Sequence, residues 1–282
     1  MLNIKQWIKI KIGDNSETNP CELIPGLTFL GEATAPVITN SYNEFAGADG
    51  SEFNYAVFSK STVNVNFRLL VDDFYELKLV KHDIYKMFMT KQLIRIRTSA
   101  EPAKVKFVRA GNFDITPQSK GAMGIVFTIP FENPSGLKYS LVNSDVLKEY
   151  GQNAWQYGEN LPNGKDLQYQ FVDQTQLAVY NASDIPVDPY FQRHELKIII
   201  KHNGGGFTLE NKTTGDVYKF TGSMNSNDAL MIDGINTYLN GKLDDNETNY
   251  SYLSLATGWN DIRVTGAADL DITFSFPFIY LG

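Results

Sequence analysis

Between Ser61 and Thr90 the spacing of apolar residues changes from two to three and four. Val63, Val65, Phe67, Leu69 and Val71 alternate with polar residues, which predicts a strand with one buried face. Phe74, Leu77, Val80, Ile84, Met87 and Phe88 then recur at helical spacing, which predicts a helix covering one face of a sheet with Phe74, Leu77, Val80, Ile84 and Phe88 inward. Asp73 and Glu76 stand where an N-cap and the third helical residue belong, an Asp form of the capping box. The pattern is one well-formed helix inside an otherwise β-patterned chain.

Around this switch the first half reads as strands and turns. Ile8, Ile10 and Ile12 alternate with Lys9 and Lys11, with Lys5 just upstream. That predicts a strand whose basic side is wet, ending at Gly13-Asp14-Asn15. Pro20 to Pro36 is broken by Pro25, Gly26 and Gly31 and predicts short strands and turns. Residues 40 to 58 carry the turn signal Ala46-Gly47-Ala48-Asp49-Gly50 between the aromatics Tyr42, Phe45, Phe53, Tyr55 and Phe58. A hairpin with aromatic arms follows from that order. Gln92 to Thr98 predicts a strand with Leu93 and Ile94 buried and Arg95 and Arg97 on one face. Lys104 and Lys106 alternate with Val105 and Phe107, and Ile125, Phe127, Ile129 and Phe131 form a last strong strand. The breakers Glu132-Asn133-Pro134-Ser135-Gly136 mark a boundary, dividing the chain into 1–136 and 137–282.

Past the boundary, short strands recur at regular intervals from Tyr169 to Tyr280. Turn signals such as Thr214-Gly215-Asp216 and Asn240-Gly241 separate them. That spacing predicts a β-sandwich or jelly roll. The run Gly204-Gly205-Gly206 lacks strand-to-helix context and a following Lys-Ser/Thr, so it reads as a hairpin turn and not a phosphate cradle. Ile272, Phe274, Phe276, Phe278 and Tyr280 predict one unbroken closing strand, with Pro277 placing it at an edge. The fold class is mainly β: a sandwich-like N-terminal domain with one packed helix, then a C-terminal sandwich.

Charge narrows the function classes. The 282 residues carry a formal charge of −7, which argues against a dedicated grip on nucleic acid, since phosphate contacts need clustered cations. Cys21 is the single cysteine, which excludes an internal disulfide and a cysteine-based metal cluster. With no signal-peptide pattern and no membrane-length apolar run, a soluble protein made in a cytoplasm is expected. The sequons beginning at Asn181, Asn211, Asn246 and Asn249 then carry no meaning.

Catalytic chemistry finds little footing. His82 lies on the predicted helix, and His194 and His202 flank one strand. Eight residues at a rise of ~3.3 Å would separate that pair by ~26 Å, too far to share a metal ion. Asp244, Asp245 and Glu247 cluster in a loop without the frame of an EF-hand. Asp184, Asp188, Asp228 and Asp233 are scattered, and no carboxylate pair suits glycoside hydrolysis. No cofactor or metal is expected. Trp155, Tyr157 and Trp259 fit either a sugar-stacking platform or packing, at the domain junction in the case of Trp155 and Tyr157; burial is the commoner role of large aromatics.

The order of these segments carries a resemblance. Ala154-Trp155-Gln156-Tyr157-Gly158 precedes Val179-Tyr180-Asn181-Ala182-Ser183-Asp184-Ile185-Pro186-Val187-Asp188-Pro189, and Leu255-Ala256-Thr257-Gly258-Trp259-Asn260-Asp261-Ile262 precedes the aromatic closing strand. Together with Gly47-Ala48-Asp49-Gly50, the strand and helix after it, and Val126-Phe127-Thr128-Ile129-Pro130-Phe131, this series resembles the distal tail protein of long, non-contractile-tailed bacteriophages, the siphovirus tail component family. The resemblance implies an N-terminal domain forming a hexameric ring on the tail tube, with a hairpin that embraces the neighbouring subunit. It also implies a galectin-like C-terminal sandwich on the outside of the ring, and a last few residues that pack on the N-terminal domain. The implied role is a non-enzymatic baseplate hub for host adhesion in the virion tail tip, assembled in the host cytoplasm. Its partners would be the tail tube protein and the tail-tip or receptor-binding proteins. The other reading is a carbohydrate-binding protein that recognises host cell-wall polysaccharide through the C-terminal sandwich.

Overall fold

A computed structural model of the chain describes residues 6–119, 121–146 and 154–282. Lys5 and Asn153 lie outside them. The chain divides into two compact units, Met1–Lys138 with Leu281–Gly282, and Tyr139–Tyr280.

The first unit runs β1 (Ile8–Ile12), α1 (Pro20–Leu23), β2 (Leu27–Ala33), β3 (Ile38–Asn43), β4 (Glu52–Phe58), β5 (Ser61–Leu70), α2 (Phe74–Phe88), β6 (Ile94–Thr98), β7 (Glu101–Ala110) and β8 (Gly124–Asn133). Its strands pair antiparallel in the order β1-β6-β7-β8-β5-β2, while β3 and β4 pair only with each other. Alternation places Val63, Val65, Phe67 and Leu69 of β5 beside Ile125, Phe127, Ile129 and Phe131 of β8 on one buried face.

Helix α2 covers that face. Asp73 caps it by accepting the N–H groups of Tyr75 (2.7 Å) and Glu76 (2.8 Å), and the Glu76 carboxylate reaches back to the Asp72 N–H (2.5 Å). Leu77, Val80, Ile84 and Phe88 are buried, with the Phe88 ring 6.0 Å from Phe67 and 5.7 Å from Phe131. Phe74 departs from expectation and is 60% exposed. It is the first helical residue, at the margin of the buried face, and the Lys78 ammonium covers its ring at 4.9 Å.

Two further expectations fail in this unit. Leu93 is exposed, because adjacent strand residues point to opposite faces and Ile94 takes the core. On β7, Lys106 is buried and Phe107 exposed, reversing the alternation read from sequence. The pairing of β6 with β7 slips between Ile96 and Thr98, and the irregularity changes which side faces inward. Arg95 and Arg97 share Glu17, at 3.0 and 2.5 Å. Burial would raise the Glu17 pKa, but the Arg97 hydrogen bond and both guanidinium charges hold it below the ordinary carboxylate range.

From β9 (Leu137–Ser140) the chain enters the second unit: β10 (Gln170–Val172), β11 (Gln176–Asn181), β12 (Lys197–Lys201), β13 (Phe207–Asn211), β14 (Asp216–Phe220), β15 (Leu230–Asp233), β16 (Asn236–Leu239), β17 (Lys242–Leu243), β18 (Gly258–Thr265), β19 (Asp271–Ser275) and β20 (Ile279–Leu281). One sheet has the order β10-β19-β12-β15-β16-β17 and the other β11-β18-β13-β14. Ile198, Ile200, Ile272 and Phe274 of the first sheet are buried, as are Leu177, Val179, Leu209, Ile262 and Val264 of the second. The Tyr218 hydroxyl and Thr237 Oγ1 join the two sheets at 2.9 Å. Burial pushes the Tyr218 phenol up to about 12.

The closing segment is not one strand. It breaks at Phe276–Phe278 between β19 and β20, and every residue from Phe274 to Tyr280 is buried. Nor is β19 an edge, since it lies between β10 and β12. Pro277 has no N–H to contribute to a ladder, and side-chain hydroxyls satisfy its neighbours: Phe276 N donates to Ser144 Oγ and Phe278 N to Ser140 Oγ. The Gly204–Gly206 run is also no hairpin turn, because it carries the chain from β12 in one sheet to β13 in the other. A Cβ at Gly206 would stand 2.4 Å from the Phe220 carbonyl oxygen, so only glycine fits that crossing.

Candidate functional site

The segment between β2 and β5 is a two-stranded arm. Strands β3 and β4 pair from Ile38↔Phe58 to Asn43↔Glu52, with an irregularity between Ser41 and Tyr42. The pair is pinned by its own side chains. Asn43 and Asn54 exchange two amide hydrogen bonds (2.9 and 2.8 Å), Thr39 and Ser59 hydroxyls meet at 2.7 Å, and Tyr42 sits edge-on to Phe53 at 5.9 Å.

Every residue of β4 is exposed, and all of β3 except the half-buried Ser41. The five aromatics expected on the arm are there: Tyr42 (54%), Phe45 (57%), Phe53 (56%), Tyr55 (59%) and Phe58 (37%). Among the described residues, both edges of the ribbon are unpaired. A two-stranded ribbon whose residues are nearly all exposed is marginal in water by itself. From Thr34 to Ser59 the chain has the carboxylates Glu44, Asp49 and Glu52 and no Lys or Arg.

The other three aromatic candidates occupy three different environments. Trp155 is 3% exposed and packs on Phe278 with ring centroids 5.6 Å apart, so it belongs to the core of the second unit and offers no stacking face to a sugar. Tyr157 is 86% exposed. Trp259 is 46% exposed, edge-on to Tyr180 at 5.0 Å.

A further aromatic group, not singled out from sequence, gathers on loops of the second unit. Tyr190 stacks on Tyr252 (5.2 Å, 13°) and meets Phe191 edge-on at 4.8 Å, with Ile235 and Arg193 lining an open cleft of about 600 Å³. These residues lie in loops without periodicity, and only the adjacent aromatics Tyr190-Phe191 could have signalled them.

The titratable candidates serve the fold. Asp245 accepts the Thr237 N–H at 2.6 Å, and Asp188 accepts those of Tyr190 and Phe191 at 2.9 and 3.0 Å. Asp228, bonded by the Asn225 N–H and the Asn240 amide, is held below the usual carboxylate range. His202 is 1% exposed with its ring edge-on to Phe207 at 5.2 Å, and burial lowers its pKa. His82 is exposed on α2. Burial pushes the Cys21 thiol up. Among the described residues no three His, Cys, Asp or Glu side chains gather as metal ligands.

Residues 23–133 match the family model of the phage tail protein RIFT-related domain. No curated protein matches the sequence. Among solved structures the chain is similar to the Dit protein (gp 19.1) of phage SPP1, described as a paradigm of the hub adsorption apparatus in phages infecting Gram-positive hosts. The TM-score is 0.68 at 11% identity, over 96% of this chain and 99% of that one. It is also matched to chains of the phage p2 baseplate in its activated conformation. With strontium the TM-score is 0.48 at 9% identity over 96% and 97% of the two chains, and with calcium 0.49 at 10% over 97% and 98%. The match to the phage tail protein RIFT-related domain thus falls within the first unit, and the chain shares the fold of the SPP1 Dit protein.

Proposed function

We propose that this protein is a structural hub of a phage tail tip, without catalysis. In this reading its first unit assembles into a closed ring, of six subunits by the resemblance, that joins the tail tube to tail-tip and receptor-binding proteins.

One observation carries the proposal: the β3–β4 arm is aromatic, exposed on both faces and unsupported by its own unit. A ring needs a heterologous contact in which one patch meets a different patch on the next copy, and such an arm supplies one half of it. The tail-protein domain at residues 23–133 encloses the arm. A net charge of −7 suits a channel that lets nucleic acid pass without holding it.

Light scattering at several concentrations tests this. A closed oligomer is expected, and deletion of Phe45 to Phe53 should reduce it to monomers whose circular dichroism keeps the β signature. A strict monomer at all concentrations, or an oligomer indifferent to the deletion, would overturn the reading.

A further inference from the structure

Two open clefts on the second unit share a wall. Tyr190 and Ile235 line both. On one side is the cleft of about 600 Å³ that also takes in Arg193, Glu195 and Asp233. On the other is a cleft of about 370 Å³ lined by Tyr250 and Tyr252 with Asn236, Asp245, Thr248 and Ser251. The rings are in water yet held in place. Tyr250 is 74% exposed and Tyr190 53%. Tyr190 lies flat against Tyr252, and Asp188 fixes its backbone by accepting its N–H. The Tyr250 hydroxyl donates to Asn246 Oδ1 at 3.1 Å, and its N–H to Thr248 Oγ1 at 3.0 Å. Tyr250 also has a φ of 53°, a left-handed conformation uncommon for a bulky residue. Strained backbone of this kind clusters at ligand sites. Rings fixed in advance lose little freedom when a ligand arrives.

We propose that the two clefts form one binding site for a neutral oligosaccharide, with Tyr190 as the divide between two subsites. A pyranose ring has an apolar C–H face and a rim of hydroxyls. Its face suits the exposed tyrosine rings, and its rim suits the amide of Asn236, the carboxylates of Asp233 and Asp245 and the guanidinium of Arg193. Other ligands fit less well. An apolar peptide would bury those polar groups without partners. A polyanion would meet Asp233, Asp245 and the neighbouring Asp188 against the Arg193 guanidinium, since Glu195 pairs with Lys197 at 3.4 Å. An organic cation would find rings and carboxylates but also Arg193. Trp259, edge-on to Tyr180, lies outside both clefts. The site belongs to each copy of the chain and does not depend on the ring.

Calorimetric titration of the full chain with maltotriose, cellotriose and triacetylchitotriose tests this, and at least one of the three should bind. Tyr190→Ala and Tyr250→Ala should each weaken that binding about tenfold. Tyr190→Phe keeps the ring against Tyr252 and should bind as the wild type does, as should Trp259→Ala. Unchanged circular dichroism and an unchanged oligomer in light scattering would show that the variants are folded, and the conservative Tyr190→Phe separates a lost ring from a damaged loop. A wild-type chain that binds none of the three sugars would overturn the proposal. So would binding that survives both alanine variants, or that is lost with Trp259→Ala. Tighter binding of tetramethylammonium than of any trisaccharide would overturn it in favour of a cation site.

Discussion

Lys106 and Glu32 form an ion pair of 2.9 Å in the first unit, with side chains only 7% and 10% exposed. Thr98 donates a second hydrogen bond to the same carboxylate oxygen, and the other oxygen, Oε2, has no partner among the described residues. Removing one charge would strand the other in a poorly solvated place, at a cost of about 3–5 kcal/mol. Lys106→Met alone should therefore lower the denaturation midpoint sharply. Glu32→Leu combined with Lys106→Met should recover most of the loss, and the difference between the single and double variants measures the coupling.

Trp155 and Tyr157 are two residues apart and should behave oppositely. Truncation of the buried indole, Trp155→Ala, removes the packing on Phe278 and should cost about 3–5 kcal/mol. Tyr157→Ala, at an exposed ring, should stay within about 0.5 kcal/mol. Chemical denaturation of the two variants reads this directly. If Trp155→Ala were neutral, the indole would not be a core residue.

The cap of α2 gives a third outcome. Asp73 satisfies two first-turn N–H groups, so Asp73→Ala should destabilise by about 1 kcal/mol and Asp73→Asn by less. Thermal unfolding followed at 222 nm would resolve it.

His202 predicts a pH dependence. Its folded pKa is lowered by burial, so below the unfolded value of about 6.5 the unfolded chain takes up the proton first. Stability should be fully present above that pH and fall as pH drops toward the folded pKa. His194 is shifted the same way by the same cause and adds to the slope. His202→Leu should shrink the fall between pH 6.5 and 5, measured as denaturant midpoint against pH; an unchanged slope would remove His202 from this account.

Much of the fold was legible in the chain because it rests on local chemistry. The strand at Ser61–Leu70, the capped helix after it and the arm around Gly47–Gly50 each follow from periodicity, a cap or turn residues within one short window. The misses share another origin. Phe74 and Leu93 have the hydrophobicity of core residues but sit where the helix margin and the pleat turn them outward. Lys106 goes inward because a pairing irregularity shifts the face of β7 and Glu32 waits there. The Tyr190–Tyr252 stack joins residues 62 positions apart in loops, so no local signal existed for it.

By itself, then, the sequence determined many of the strands, where helix α2 starts, and that an aromatic hairpin interrupts the first half, since propensity and period act between near neighbours. Only the tertiary structure decided which aromatics are walls and which are surfaces. Trp155 is enclosed because Phe278, more than a hundred residues later, packs on it. Tyr42, Phe53 and Tyr55 stay in water because the ribbon that carries them pairs with no other strand among the described residues. Burial depends on what the rest of the chain brings to a site.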